Sequence, residues 1–344
     1  MCDDRAGQSA GMPAGKVAPE MLERLLGMMA GDSDDVIVGP SLGEDGAVLR
    51  IGDMMVAIAT DPITFQTPRP GLFAVCVNAN DIAVMGARPR YMLLTVILPP
   101  GTSEEVLCAI VSDVEETTRR MGITVIGGHT EVSAAVCTPV LSVTMLGPLV
   151  SDAPVLTGGV CPGDCLVQVR PLALEGTAIL ASEHREALLS EVGAADLDRA
   201  SELLTDPGLS VVEPALLLCE FDGLHAMHDP TEGGFATGLR EMMVSSGTGC
   251  RLWVDRLIVL DVTRDVCRGL GYSPLGVISS GCLLAALSAE VADEAVSALR
   301  RAGYASSIVG RATDCAGAYE LLDGTGHVQP LPEFAVDELA RALD

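Results

Sequence analysis

Aromatic side chains make up only 3% of this 344-residue chain, so its cores must be filled by aliphatic residues. Basic residues are scarce as well. The 21 Lys and Arg stand against 47 Asp and Glu, a formal charge of −26. A surface so negative repels nucleic acid and anionic membrane, and neither is expected as a partner. Familiar nucleotide and metal motifs are absent. Gly15-Lys16 follows Gly11 too closely for a Walker loop, and Val17 stands where that loop carries Ser or Thr. No G-x-G-x-x-G follows a strand, which argues against a Rossmann dehydrogenase, and there is no H-E-x-x-H. Met1-Cys2-Asp3-Asp4-Arg5 leads into small polar residues, so no signal peptide is expected. Eleven dispersed cysteines, an odd number, then read as reduced thiols in the cytoplasm. Cys161-Pro-Gly-Asp-Cys165 has no second pair at zinc spacing and reads as incidental thiols. The one uncharged run of near-membrane length, Val132 to Val150, is interrupted by Pro139, Gly147 and Pro148. Its strand formers from Thr138 to Leu146 predict a buried strand instead.

What is present is a mixed α/β pattern, with 49% hydrophobic content that excludes a largely disordered chain. Helices are expected at Pro19–Met29, Leu72–Met85 and Ser103–Met121, and strands at Val36–Val38, Ala47–Leu49, Met55–Thr60, Tyr91–Leu98 and Thr124–Ile126. Ser, Asp, Pro and Gly crowd residues 150–162, which sets a domain boundary there. Beyond it come a strand at Cys165–Val169, a helix from Gly176 through Ser182 and further helices to about Cys219. A helix at Phe235–Ser245, strand material at Leu275–Ile278 and Cys282–Leu287, a helix at Glu290–Ala302 and a last strand at Ile308–Gly310 complete this half. No short tandem repeat is visible.

Four carboxylates sit beside small or glycine-rich sequence: Asp45 in Gly43-Glu-Asp-Gly-Ala47, Asp61 before Pro62, Asp81 after Asn78 and Asn80, and Asp229 in His228-Asp-Pro-Thr231-Glu-Gly233-Gly234. Gathered in one cleft they would repel each other unless divalent cations lay between them. Hard oxygen ligands suit Mg²⁺, which bridges carboxylates to nucleotide phosphates. Taken singly, Asp beside Gly or Pro is ordinary turn chemistry. Asp81 differs, because it interrupts an apolar helix, where a buried carboxylate needs a partner. Gly127-Gly128-His129-Thr130-Glu131 is expected where a strand ends, as a close approach to phosphate or as a tight turn with a surface histidine. Asp229-Pro-Thr-Glu-Gly-Gly opens a helix, whose N-terminus can receive an anion. His225 and His228 could be metal ligands at helical spacing, but without a nearby third ligand they read as structural, and the cysteines have no evident histidine partner for nucleophilic work.

Gly43-Glu-Asp-Gly-Ala47, Thr60-Asp-Pro62, Asn80-Asp81 through Pro89, Gly127-Gly-His-Thr130, Glu175-Gly-Thr-Ala-Ile-Leu-Ala181 and Asp229 through Gly234 follow one another in a known order. In them the chain resembles the aminoimidazole-ribonucleotide (AIR) synthetase superfamily, whose members include selenophosphate synthetase, thiamine-phosphate kinase and a hydrogenase-maturation dehydratase. The resemblance runs from about Gly15 to Thr313 and implies a two-domain PurM-like α/β (α+β) fold. Residues 1–150 would form an N-terminal ATP-binding domain that dimerises through its sheet, and residues 151–344 a C-terminal α/β domain.

The same resemblance implies Mg²⁺ on Asp45, Asp61, Asp81 and Asp229. It gives Asp45, Asp81 and Lys16 catalytic roles. ATP would be contacted by Asp61, Asn80, Gly127, Gly128, His129, Thr130, Thr231 and Gly233. The function expected is a cytoplasmic, homodimeric, ATP- and Mg²⁺-dependent enzyme that passes the γ-phosphate to, or activates, an oxygen of a small substrate or a protein thiocarboxamide-like group. The alternative is a nucleotide-binding maturation factor without turnover, and a purine-pathway cyclo-ligase fits less well. The Asp229 and Glu175 motifs look most like the hydrogenase-maturation branch, whose flexible tail ends in a carbamoyl-carrying cysteine. The last cysteine here is Cys315, so the same reaction by the same route is not expected.

Overall fold

The computed structural model describes residues 17, 19–29, 31, 33–41, 43–64, 67 and 69–343. In the first half come α1 (Pro19–Met29), β1 (Val36–Val38), β2 (Ala47–Ile51), β3 (Met54–Ile63), α2 (Pro70–Val84), β4 (Tyr91–Leu98), α3 (Glu104–Met121), β5 (Thr124–Val132) and β6 (Val140–Pro148). The strands form one sheet in the order β1-β2-β3-β6-β4-β5. Its pairs are antiparallel except β4 with β5, which α3 connects as a crossover. β6 alternates buried and half-buried residues, the signature of a strand with one face on a core.

Helix α2 is the centre of this half. Its only charge is Asp81, and thirteen of its residues are buried. A helix apolar on all sides must be covered on all sides: α2 packs on α3, β3 and β6, and also on α7 and β8 of the second half, whose bounds follow. Phe73, Leu72 and Ile82 are fully buried, at roughly 2 kcal/mol each, and offset the cost of burying Asn78, Asn80 and Asp81 beside them.

The second half contains β7 (Cys165–Val169), α4 (Leu174–Glu183), α5 (Arg185–Leu188), α6 (Ala194–Glu202), α7 (Val212–Leu218), β8 (Leu224–His228), α8 (Gly234–Ser245), β9 (Gly249–Trp253) and α9 (Asp261–Leu270). β10 (Leu283–Leu287), α10 (Ala292–Arg301), β11 (Ser306–Thr313), β12 (Tyr319–Leu322), β13 (Val328–Pro330) and α11 (Glu338–Leu343) complete it. The sheet order is β13-β12-β9-β11-β7-β10-β8. Every residue of β7 and β10 is buried, because the sheet is covered on both faces. Cys165, Val167 and Val169 point into the core shared with the first half, while Leu166 points into a second core with Leu180, Phe235 and Leu239.

Besides elements the sequence reading did not give, among them β9, α9, β12, β13 and α11, the structure corrects it at three places. Asp61 lies inside β3, because pairing with β6 continues to Ile63 opposite Leu141. Gly127 and Gly128 lie within β5, which runs on to Val132 beside β4 with Ile126 as an extra residue in the register. A Cβ on Gly128 would lie 1.8 Å from the Leu94 carbonyl oxygen, so glycine is what keeps these strands paired. The strand expected at Leu275–Ile278 is instead a tight turn at Pro274–Gly276, where the Phe334 ring fills the space of a Gly276 side chain. Among the described residues no helix is long and apolar enough to cross a membrane.

Candidate functional site

Asp45 sits in the turn before β2. Gly46 fixes that turn against β3, since a Cβ there would come within 2.8 Å of the Ile58 carbonyl oxygen and 2.9 Å of Met85 Sδ. From the other half, β8 delivers His228 at its last position and Asp229 just after it. His228 Nδ1 lies 3.0 Å from Asp45 Oδ2, and its Nε2 lies 3.3 Å from Glu241 Oε2 on α8. Burial opposes charge on this imidazole, yet Asp45 and Glu241 on its two nitrogens hold its pKa well above the usual histidine range. Thr157 adds a hydroxyl donor to Asp45 at 3.3 Å. The backbone N–H groups of Thr157 and Gly158 reach Glu44 at 3.3 and 3.4 Å. Burial raises the Glu44 carboxyl, and those two N–H groups pull it back.

Asp81 and Asp229 are buried more deeply, at 5% and 2% exposure, and one oxygen of each, Oδ2, has no hydrogen-bond partner among the described residues. Burial drives both carboxyls well above the ordinary range. Repulsion from Asp229, Asp61 and Asp45 adds to Asp81, and repulsion from Asp45 and Asp61 adds to Asp229. Asp45, His228 and Asp229 bring ligand atoms within 4.8 Å of one another. The four carboxylates of the sequence reading therefore share one electrostatic neighbourhood. Two buried, unpaired carboxylate oxygens are a costly arrangement, and a cation relieves it. The donor set is oxygen-rich, as Mg²⁺ requires, and His228 holds Asp45 through Nδ1.

Asp61 is positioned through its backbone. Its N–H donates to Asn78 Oδ1 at 2.8 Å, and Asn78 Nδ2 donates to the Asp61 and Ala74 carbonyls at 3.3 and 2.9 Å. Replacing Asn78 with alanine is expected to cost about 2 kcal/mol, through loss of these bonds inside the protein. Urea unfolding measures this; an unchanged midpoint would mean that the β3–β6 ladder alone holds Asp61.

The remaining sequence candidates fall in several places. Asn80 is fully buried, and its amide donates to the Leu209 carbonyl at 3.0 Å and accepts the Val211 N–H at 2.8 Å. It braces the second half, so its polar groups are already occupied. Gly233 gives its N–H to Asp337 at 2.6 Å, and the Thr231 carbonyl accepts from Gly234 and Ser279. The start of α8 thus carries a carboxylate of the chain itself. Gly127, Gly128, His129 and Thr130 lie exposed on β5, the edge of the sheet, with His129 3.3 Å from Glu131. Asp61, Val143, Leu94 and Gly128 stand in one row across the sheet, which puts Gly128 about 14 Å from Asp61 at the usual strand spacing. Lys16, the single lysine, lies outside the described residues.

Glu44, Asn78, Thr157, His228 and Glu241 were not singled out as site residues by sequence reasoning. Glu44 and His228 each adjoin a flagged aspartate, and that adjacency was the available signal. Thr157 and Glu241 have no local mark.

Two sheet-bearing α/β halves that meet at a cluster of carboxylates define the PurM-like class. Residues 43–149 match the N-terminal domain of AIR synthase related proteins, and residues 161–320 match their C-terminal domain. The chain belongs to the AIR synthase related family. A putative hydrogenase expression/formation protein of Methanocaldococcus jannaschii is 31% identical over 281 residues, 78% of this chain and 79% of that protein. Carbamoyl dehydratase HypE of Escherichia coli is 31% identical over 287 residues, 80% of this chain and 81% of that one. The crystal structure of a hydrogenase maturation protein HypE in complex with ATP shares the fold, with a TM-score of 0.73 over 95% of this chain and 97% of that one at 23% identity.

Proposed function

We propose that this chain is an ATP- and Mg²⁺-dependent enzyme that transfers the γ-phosphate of ATP to, or activates, an oxygen of a small substrate or of a protein-borne thiocarboxamide-like group. The observation that carries this reading is the pair of unpartnered buried oxygens on Asp81 and Asp229 beside Asp45. Asp45, Asp61, Asp81 and Asp229 would hold Mg²⁺, which supplies charge neutralisation and in-line alignment for phosphoryl transfer. The relatives named as carbamoyl dehydratase, and the ATP-bound structure of one HypE, support the oxygen-activating chemistry.

Residues of this chain do the positioning. His228 holds Asp45 in place, Asn78 holds Asp61, and Thr157 together with Glu44 ties the first half to the second across the cleft. Gly127, Gly128, His129 and Thr130 are assigned to the phosphates, and Lys16 to the same end of the nucleotide. Tyr91, Leu93, Val125, Ile126 and Val132 leave apolar surface exposed on β4 and β5, which supports pairing of two chains through this sheet. The ten described cysteines are free thiols, as a cytoplasmic protein keeps them.

Calorimetric titration with ATP, with and without Mg²⁺, followed by an ADP assay tests the reading. Metal-dependent binding with ADP release on addition of a carbamoyl-type acceptor is the expected outcome. Tight binding without turnover in any acceptor mixture would favour a maturation factor that uses nucleotide only for assembly. Absence of binding would remove both.

A further inference from the structure

A second group of ligand-type side chains lies outside the carboxylate cleft. Cys161, Asp164 and His225 present a thiol, a carboxylate and an imidazole whose ligand atoms all fall within 4.8 Å of one another. Asp164 is 3% exposed, its Oδ2 accepts the Cys161 N–H at 2.8 Å, and both of its oxygens lie 2.9 Å from His225 Nδ1. Cys161 is exposed, and its sulfur has only a weak contact, 3.8 Å, with the Gly159 carbonyl.

The backbone beneath these groups is fixed before any ligand arrives. Gly163 N–H donates to the Ala312 carbonyl at 3.0 Å, Asp164 N–H to the Cys161 carbonyl at 3.1 Å, and Arg311 to the Gly163 carbonyl at 3.1 Å. Gly159 presses on β8 so closely that a Cβ there would lie 2.1 Å from the His225 carbonyl oxygen. The loop that carries Cys161 and the strand that carries His225 are therefore held against each other.

We propose that Cys161, Asp164 and His225 form a site for a zinc-type divalent transition metal, separate from the magnesium cleft. Thiolate, imidazole and carboxylate are the donors that Zn²⁺ takes, and a thiolate gives no affinity for Mg²⁺. Zinc holds its ligands at about 2.0–2.3 Å in a tetrahedron, which sets them roughly 3.3–3.8 Å apart. Rotation at exposed Cys161 would bring its sulfur in, and the metal would take the place of the hydrogen bond between His225 Nδ1 and Asp164, widening that pair from 2.9 Å. Three protein ligands leave the fourth position to water.

The placement gives the site a consequence. Cys161 follows Thr157 by four residues, and His225 precedes His228 by three; Thr157 and His228 both bond to Asp45. A metal here cross-links, at their far ends, the same two segments that Asp45 joins at the cleft.

The test is cobalt titration of the reduced, metal-free full chain, because Co²⁺ substitutes for zinc and its absorption reports thiolate and tetrahedral coordination. One thiolate-bound cobalt per chain is expected with excess Mg²⁺ present to fill the carboxylate cluster, read from a thiolate-to-metal charge-transfer band that Zn²⁺ displaces and Mg²⁺ does not. Cys161→Ser should abolish the band. His225→Gln should weaken cobalt binding at least tenfold, and both variants should melt with the metal-free wild type. A wild-type chain without the band, or a band that survives Cys161→Ser because Cys108, Cys137 or Cys315 supplies it, overturns the proposal. Asp164 and His225 would then be only a hydrogen-bonded pair that caps a turn.

Discussion

Replacing Asp81 with asparagine is expected to weaken Mg²⁺-dependent ATP binding about 100-fold, about 3 kcal/mol, without lowering the stability of the metal-free protein. The two effects separate because Asp81 has opposite meanings with and without a cation. Without one, its carboxylate is buried, one oxygen has no donor among the described residues, and Asp229, Asp61 and Asp45 repel it. Asparagine at the same position removes that repulsion at almost no change in volume. With a cation, the same carboxylate is an anionic oxygen ligand that an amide replaces poorly. Melting curves in EDTA and in Mg²⁺ with ATP separate the cases. A variant that keeps wild-type Mg-ATP affinity would remove Asp81 from the metal site. A variant that melts well below wild type in EDTA would mark Asp81 as a structural partner instead.

Glutamine at Glu175 is expected to make the protein about 3 kcal/mol more stable than wild type at pH 8, and nearly equal to it at pH 5. Glu175 opens α4, is 1% exposed, and has an Oε2 without a partner among the described residues. Burial lifts its pKa from 4.5 to about 7; Ser280 hydrogen bonds pull it down and the Asp337 and Glu232 charges push it up. The sign follows from proton counts. Between pH 4.5 and 7 the folded chain keeps a proton that the unfolded chain has lost, so stability falls as pH rises through that window and levels off above it. Glutamine cannot ionise and should remove this dependence. Denaturant midpoints from pH 5 to 8 provide the measurement, and parallel curves for the two proteins would show that Glu175 is not the group responsible.

The carboxylates were legible because their surroundings were unusual. Asp81 broke an apolar helix, Asp45 stood between glycines, and Asp229 preceded a proline and a glycine pair. Each reading used only local sequence, and the convergence needed the fold. The role of His228 could not be read for that reason: its two carboxylate neighbours are 183 and 13 residues away, and only its adjacency to Asp229 marked it. Gly127 and Gly128 suggested a strand end because glycine usually weakens strands. Tertiary pairing decided otherwise, since the close approach of Leu94 needs a residue without a side chain. Helix α9 went unnoticed although its pattern was present: Val262, Val266, Cys267 and Leu270 share one face, and Gly271 adopts the left-handed cap.

Asn80, on the buried helix of the first half, grips Leu209 and Val211, while Arg170 in the second half holds the neighbouring carbonyls of Gly208 and Ser210. Four successive residues are thus anchored alternately from opposite halves of the chain. In evolutionary terms, the halves cannot be exchanged freely between relatives, as modules joined by a linker can. A recombinant whose first half does not match the 208–211 loop would bury the Asn80 amide with nothing to receive it. The two domain signatures look like separable parts along the sequence, but the 208–211 loop fastens one to the other.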